Sequence, residues 1–555
     1  MNAVPAPTRP WRSTFIAGTV GRGQAWSGRL ELVGLVLLAM VALVAFRRYA
    51  DDTAGGSDAY GYVSEAQRLS SGQFYVREHV FSQFGLAEDS SLTAPLGYVG
   101  KGPDGTIPTY PFGYPLLMSG PVRLFGPAAG YWVAPLLGVA TILLTYAAAR
   151  PHIGRLGGFL AAGLVFFFPN FIWSAVQPMS DVPAAFCAAV MYAILLNPRR
   201  RLWTDILLGA ALGLGVWIRP NMGLLLVPTI GWLIWSALRP RTSSTPGTSA
   251  SATVGPPAGA TSRDHSFGYA AFRYADWRPL LRFALGLLPF LLIEAAVNNL
   301  AYGAPWTTGY GNPPLAHSIP EVGRRAVHYL GWLNEQQIGL GLVLLAAGLV
   351  FGRLARPYRV LLATNIAIIW AFFAAYPFDD AWWYGRFLLP IVPAVAILEA
   401  SALVRLVEVG PFRAARWAAL VVAAAVFMVA SHQWAGAHSV FLMGDGDRKY
   451  STAAQWARQY VHGPAIVLAM QHSGTLRMYA DLPTARYDGD QAKLLDKLQR
   501  VQAAGGPVYL LVEGWELDDV RAKRPALLEG ATQIGHLDTS GIRLFRLAPL
   551  DPTAV

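Results

Sequence analysis

Four charged residues stand at or near the ends of long hydrophobic runs, where charge is least expected: Asp58, Asp181, Glu294 and Arg386. A carboxylate at a membrane boundary can exchange a proton with a bound hydroxyl. A guanidinium offers a planar fork of donors that fits phosphate oxygens and stays charged at working pH. Asp58 lies in the glycine-hinged segment 51–62, just past the first apolar run, and precedes an amphipathic pattern of Tyr62, Val63, Ala66 and Leu69 that Ser70-Ser71-Gly72 ends. It therefore sits at a helix start, where it can equally cap the helix by accepting free N–H groups. Asp51 and Asp52 read as solvated loop charges. Ser180-Asp181-Val182-Pro183 is a second helix start with the same two readings.

Arg386, in Tyr384-Gly385-Arg386-Phe387-Leu388-Leu389-Pro390, reads as an anion ligand, as an interfacial arginine, or as a partner of Asp379 or Asp380. Glu294 lies inside the apolar run 290–298, with Asn298 one turn further on the same face. An ionisable group there faces the bundle interior or a wet cavity, or hydrogen-bonds a neighbouring helix. Tyr60, Tyr110, Tyr114 and Tyr384 combine an apolar ring with a polar tip, which suits either a substrate entrance or the aromatic belt at a membrane surface.

These residues need a membrane scaffold, and the composition supplies one. Of 555 residues 54% are apolar and only 14% charged, and the apolar ones fall into runs able to cross a bilayer core of roughly 30 Å. Spans are predicted near 30–46, 128–149, 154–172, 182–196, 203–218, 222–238, 279–300, 337–352, 358–376, 387–404 and 416–433, about eleven crossings. The fold class is an all-α polytopic bundle followed by a small α/β domain. The net charge of +11 comes from arginines in short segments between the runs, which points to topology rather than to a nucleic-acid partner. Alternating from an N-terminus inside places Arg150 with Arg155, Arg199-Arg200-Arg201, Arg239 with Arg241, Arg353 with Arg356 and Arg359, and Arg405 with Arg413 and Arg416 in the cytoplasm. The same register puts Asp58, Asp181, Asp379-Asp380 and everything after about 434 on the outer face, as expected for a bacterial inner-membrane protein with a periplasmic C-terminal domain. Cys187 is alone inside an apolar run, which leaves no intrachain disulfide.

The predicted organisation is a basic tail at 1–29, a membrane domain at 30–433 with a long first outer loop at 47–127, and a soluble α/β domain at 434–555. The stretch 241–278, rich in Ser, Thr, Pro and Gly through 262, reads as a disordered cytoplasmic linker. In the last domain the apolar runs 465–469, 507–512 and 542–547 alternate with helical patterns. The turn at Met470-Gln471-His472-Ser473-Gly474-Thr475 reads as an ordinary strand-to-helix connection before an anion site.

The ordered set of Gly56-Ser57-Asp58-Ala59-Tyr60, Tyr110-Pro111-Phe112-Gly113-Tyr114-Pro115, Met179-Ser180-Asp181 and Tyr384–Pro390 resembles the GT-C superfamily of integral-membrane glycosyltransferases over most of 30–404. Its nearest likeness is to the branch of dolichyl-phosphate-mannose protein mannosyltransferases, lipid A aminoarabinose transferases and bacterial core-sugar transferases. The resemblance implies a hexosyl- or pentosyltransferase that takes a sugar from a polyprenyl-phosphate donor to a glycan, lipid or protein acceptor, with membrane lipids as surroundings. It implies Asp58 as base with inversion at the anomeric carbon, Arg386 on the leaving phosphate, and an acidic residue near the site at the outer turn of Asp181, where it orients the acceptor or helps hold a cation; Glu294 is a third acidic candidate from its place within a span. A partly desolvated Asp58 is expected to have a raised pKa. Asp58 and Asp181 with a donor phosphate leave a divalent cation open, although no diagnostic ligand spacing appears and His79, His317 and His328 form no pair. A transporter or flippase of lipid-linked saccharides is the alternative, and it would be marked by internal repeats, which the two halves do not show. A third reading makes the bundle an anchor for the outer domain.

Overall fold

The computed structural model describes residues 22–77, 79–102, 105–199, 201–238, 276–311, 319–376, 381–409, 411–538 and 540–550. The tail up to residue 21, the linker up to residue 275, Arg200, Arg239, Arg241, His317 and Asp379-Asp380 lie outside the described residues.

Among the described residues seven helices are long and apolar enough to cross a membrane: Gly28–Arg48, Pro127–Phe166, Pro220–Leu238, Arg278–Tyr302, Arg356–Ala375, Trp382–Glu408 and Ala414–Ala437. Three shorter apolar helices join them, Asp181–Leu195, Leu202–Ile218 and Gly341–Phe351. One of the seven is really two. Tyr146 and Phe159 are thirteen residues apart, which a straight helix would separate by about 20 Å. Their rings instead meet at 4.8 Å, because the chain reverses at Gly154 with φ 76° and ψ −178°. Among the described residues this makes eleven apolar helical segments, at the positions the hydropathy pattern predicts. The chain is an integral membrane protein with a mostly helical bundle.

The reversal is a local consequence of sequence. Gly154 occupies a region of φ/ψ open to glycine alone, between Pro151 and Arg155. Arg150 and Arg155, on either side of the turn, both reach Glu31 of the first helix, at 2.5 and 2.6 Å, and Tyr146 Oη donates to the same carboxylate at 2.6 Å. Gly154→Ala places a Cβ in that conformation, and its expected cost is about 1–3 kcal/mol. Thermal melting of the detergent-solubilised protein checks it, and an unchanged Tm would rule out a φ/ψ requirement at this turn.

At the other end of the bundle lies the first long loop. It holds the helix Asp58–Ser70 and a two-stranded antiparallel hairpin of β1 (Tyr98–Gly100) and β2 (Thr106–Pro108). The chain ends in a mixed five-stranded sheet of β3 (Ile466–Leu468), β4 (Thr484–Ala485), β5 (Val508–Val512), β6 (Thr532–Leu537) and β7 (Ile542–Arg546), in the order β4-β3-β5-β7-β6. β3 runs parallel to β4 and β5, while β7 is antiparallel to β5 and β6. Alternation decides which face each residue covers. Val508, Leu510 and Val512 pack with Leu494, Leu498 and Val520 on one side, and Tyr509 and Leu511 pack with Ala453, Ala457 and Leu476 on the other. With both faces covered, all five residues of β5 are buried.

This sheet region is docked on the first loop through a row of contacts. Tyr479 Oη accepts from Ala54 N at 2.8 Å, Ser473 Oγ accepts from Leu96 N at 2.9 Å, and Arg486 N donates to Leu92 O at 2.8 Å. Gly55 abuts the Tyr450 ring, and Gly474 abuts Tyr60, each so closely that a Cβ would collide. The turn 470–475 is therefore a docking element as well as a strand-to-helix connection.

Candidate active site

Asp58 is the first residue of its helix, with Ser57 in the N-cap position, yet the helix has no side-chain cap. The Asp58 carboxylate turns away from its own backbone: Oδ1 accepts from Tyr110 Oη at 2.6 Å and Oδ2 from Arg386 Nη2 at 2.8 Å. Ser57 Oγ shares the Tyr110 hydroxyl at 2.6 Å. The second helix start repeats the pattern. Ser180 meets Tyr62 Oη at 2.8 Å, and Asp181 pairs with Arg219, so again neither side chain caps its helix. The capping readings of Asp58 and Asp181 therefore give way to side-chain pairing.

Arg386 is carried on a tight 3-10 segment, Trp382–Ile391, ahead of the Val392–Glu408 helix. Asn170 fixes this segment: its Nδ2 donates to Trp382 O at 3.1 Å, its N donates to Gln336 Oε1 at 3.0 Å, and its side chain abuts Gly385. Arg219 follows the Leu202–Ile218 helix, where Pro220 opens the next segment. The Phe387 ring lies between the two guanidiniums, 5.3 Å from Arg386 and 5.1 Å from Arg219, and Trp173 flanks Arg386 at 5.6 Å. Ring faces of this kind let two cations approach one another at lower cost. Two arginines and two aspartates thus form one neutral cluster, in which Arg219 also acts on Asp58 and Asp181 on Arg386. Arg386 has unused donor capacity, since Nη1 reaches only the Met179 sulfur at 3.0 Å and the buried Nε has no hydrogen-bond partner.

The Asp58 side chain is 31% exposed and that of Arg386 12%. Burial pushes the Asp58 carboxyl up, but the Arg386 charge and the hydrogen bonds from Tyr110 and Arg386 outweigh it, and the net shift is downward. The expected rise is thus corrected: charge pairing, invisible without the fold, reverses desolvation. A divalent cation does not fit this donor set, because each aspartate already holds a guanidinium. Among the described residues no three His, Cys, Asp or Glu side chains are grouped to hold a metal ion.

The remaining candidates separate. Tyr110 belongs to the site, and Tyr62 packs on it at 4.8 Å with Tyr114 against Tyr62 at 5.3 Å. Tyr114 is fully buried, and Tyr60, 2% exposed, packs on Tyr98 and the docked sheet region rather than at an entrance. Tyr384 is half-buried beside Phe387. Glu294 does not join Asp58. It hydrogen-bonds Asn298 and lines a separate apolar groove of about 220 Å³ with Phe112, Leu116 and Trp217. Arg219 escaped the sequence reading, although a signal existed: it stands at the end of a span opposite to every arginine cluster. Tyr310, whose ring meets Tyr110 at 6.0 Å, carried no such signal.

Asp51 also differs from its reading as a solvated charge. Only 1% exposed, it donates its N–H to Val176 O at 2.7 Å and accepts from Thr53 N at 2.8 Å, while the Asp447 carboxyl of the docked region faces it. Burial and the Asp447 carboxyl push Asp51 up to about 9. Asp52 remains exposed and pairs with Arg47 at 3.0 and 3.2 Å. A carboxyl raised in the fold stabilises it fully below the ordinary carboxylate pKa of about 4, and that stability is lost as pH rises through the folded value. Wild-type protein is therefore expected to lose more Tm between pH 6 and pH 10 than Asp51→Asn does. Equal losses would remove Asp51 as the titrating group.

Comparison with known proteins points one way. The sequence model of a family described as dolichyl-phosphate-mannose-protein mannosyltransferase matches residues 110–255. No curated protein matches the sequence. Among solved structures, ArnT from Cupriavidus metallidurans bound to undecaprenyl phosphate superposes with a TM-score of 0.59 at 13% identity, covering 92% of this chain and 97% of that one. Its apo form gives 0.57 at 14%, covering 95% and 99%. The archaeal oligosaccharyltransferase AglB from Archaeoglobus fulgidus, in complex with an inhibitory peptide and a dolichol-phosphate, gives 0.53 at 11%, covering 88% and 70%.

Proposed function

From the premise that the chain has the GT-C fold of integral-membrane glycosyltransferases, we propose that it transfers a sugar from a polyprenyl-phosphate donor to an acceptor hydroxyl at the outer face of the membrane. The observation that carries this reading is the Asp58–Arg386 pair, which sets a carboxylate beside a guanidinium with donors to spare. ArnT and AglB each hold a polyprenyl phosphate, which supports the donor class.

The acceptor oxygen attacks the anomeric carbon, and the carbon–oxygen bond to phosphate breaks with its electron pair going to the phosphate. The acceptor proton passes to Asp58. Each Asp58 oxygen accepts one hydrogen bond and keeps a second acceptor site for the incoming hydroxyl. The phosphate gains one negative charge as Asp58 loses one, so charge moves across Arg386 while the cluster total stays constant. Arg386 Nε and Nη1 supply donors where the new charge develops, and Arg219 lies close enough to add its field. Engagement with the phosphate also loosens the hold of Arg386 on Asp58. The carboxylate then becomes a better proton acceptor as the leaving group binds, and attack from the side opposite the phosphate inverts the anomeric centre.

The test uses the full chain in proteoliposomes with a labelled sugar on polyprenyl phosphate. Labelled product and released polyprenyl phosphate are expected in equal amounts. Movement of the lipid-linked sugar across the bilayer without transfer would replace this reading by the transporter.

A further inference from the structure

The Asp58–Ser70 helix has a second polar face that the Asp58 site does not use. Ser64, Gln67, Arg68 and Ser71 recur at helical spacing along it and line a cavity of about 570 Å³. The opposite wall is the Ser473–Ala480 helix and the turn after it, with Arg477 and Asp481, and Gln73 completes the polar lining. The volume lies in the range of about 300–1,000 Å³ typical of small-molecule sites.

Its lining suits a polar anion. The guanidiniums of Arg68 and Arg477, the amides of Gln67 and Gln73 and the hydroxyls of Ser64 and Ser71 stand against one carboxylate, Asp481. Arg477 is held rigidly: Nε donates to Thr484 Oγ1 and Nη2 to Thr484 O, each at 2.6 Å, with Thr93 O as a further acceptor. Arg68 lies over the Tyr98 ring at 4.8 Å, and that buried ring is held in turn by Tyr60, edge-on at 5.8 Å. Cations fixed in this way lose little freedom when a ligand arrives. A saccharide can place its hydroxyls on Gln67, Gln73 and Ser71 and set an acidic substituent in the field of the two arginines.

We infer that this cavity binds an anionic saccharide, the part of the acceptor remote from the reacting hydroxyl. Arg68 lies ten residues along the helix from Asp58, about 15 Å, so the ligand is an oligosaccharide that follows the helix between the two places. Its role as acceptor rests on the transfer reading; its binding does not.

Calorimetric titration of the full chain in detergent compares a sulfated dextran oligosaccharide with a neutral one of equal length. The sulfated probe is expected to bind at least about tenfold more tightly, and Arg68→Gln to remove about tenfold of that affinity. Gln73→Glu, a change at an exposed position, brings a like charge to the cavity and is expected to weaken the sulfated probe by a similar factor with Tm unchanged. Should Arg68→Gln fail to fold, Gln73→Glu decides alone. Equal affinity for the two probes, or sulfated-probe binding untouched by Gln73→Glu, overturns the inference. Binding is read without turnover, so failure of transfer in the same preparation strikes the proposed reaction and leaves the cavity standing.

Discussion

Asp58→Asn is expected to lower kcat for transfer of labelled sugar by about 10²–10⁴-fold, the range lost with a general base. Asparagine keeps the shape and can still accept from Tyr110, so the helix start and the docked sheet region stay in place. It cannot take the proton, and it releases Arg386 from its ion pair. A freed Arg386 binds phosphate no worse, so KM for the donor is expected to stay level or fall while kcat collapses. A role confined to holding the loop together would instead lower Tm and raise KM. Retained turnover in Asp58→Asn would end the base assignment. The pH profile gives a second reading. Burial alone would raise the Asp58 pKa, but the Arg386 charge and the Tyr110 hydrogen bond depress it overall. A depressed carboxylate contributes stability above its unfolded pKa and loses it as pH falls through the folded value. The acid limb of kcat/KM, which reports the free enzyme, is therefore expected below the ordinary carboxylate range.

Arg386→Ala removes the other half of the pair, and its expected effect is a fall of about 10²–10³-fold in kcat, the loss seen when a donor to developing negative charge is deleted. Here the donor KM is expected to rise as well, because on the proposed reading the guanidinium also holds the phosphate of the bound donor. Arg386→Lys separates charge from geometry. An ammonium keeps the charge but lacks the fork that reaches Asp58 with Nη2 and leaves Nε for an oxygen, so it is expected to recover only part of the activity. Full recovery by lysine would make Arg386 a source of field alone. If Arg386→Ala turned over like wild type, the leaving phosphate would have to be held elsewhere, with Arg219 the next candidate.

The membrane spans were legible because length and hydropathy are one-dimensional properties of a chain. Even the reversal at Gly154 showed as two adjacent predicted spans, 128–149 and 154–172. The strands at 465–469, 507–512 and 542–547 were legible for the same reason, as short apolar runs between helical patterns. The resemblance of four motifs to the GT-C pattern led to the fold that the structural matches share. Pairing was not legible. Asp58 and Arg386 are separated by 328 positions, and nothing local says that Asp58 will spend its charge on an arginine rather than on its own helix. The same blindness hid Arg219 behind Asp181 and made Asp51, buried against a residue of the C-terminal region, read as a loop charge. Glu294 shows another limit: an ionisable residue in a span invites a functional reading, but its depth alone could not say that it lines a different groove from Asp58.

Because Ser57, Asp58, Ser180 and Asp181 all direct their side chains elsewhere, the helices Asp58–Ser70 and Asp181–Leu195 begin without side-chain caps at the same place. Each helix start carries roughly half a positive charge from its aligned peptide dipoles. In most proteins a capping oxygen accepts from the first free N–H groups, whereas here the first-turn aspartates of both starts turn to arginines and no side chain caps the backbone. Such a field is fixed in the backbone: it needs no side chain to swing into place, and no point substitution removes it. Variants of Asp58 or Arg386 should therefore retain a residual attraction for phosphate, and double removal of the two side chains should cost less than the product of their single effects.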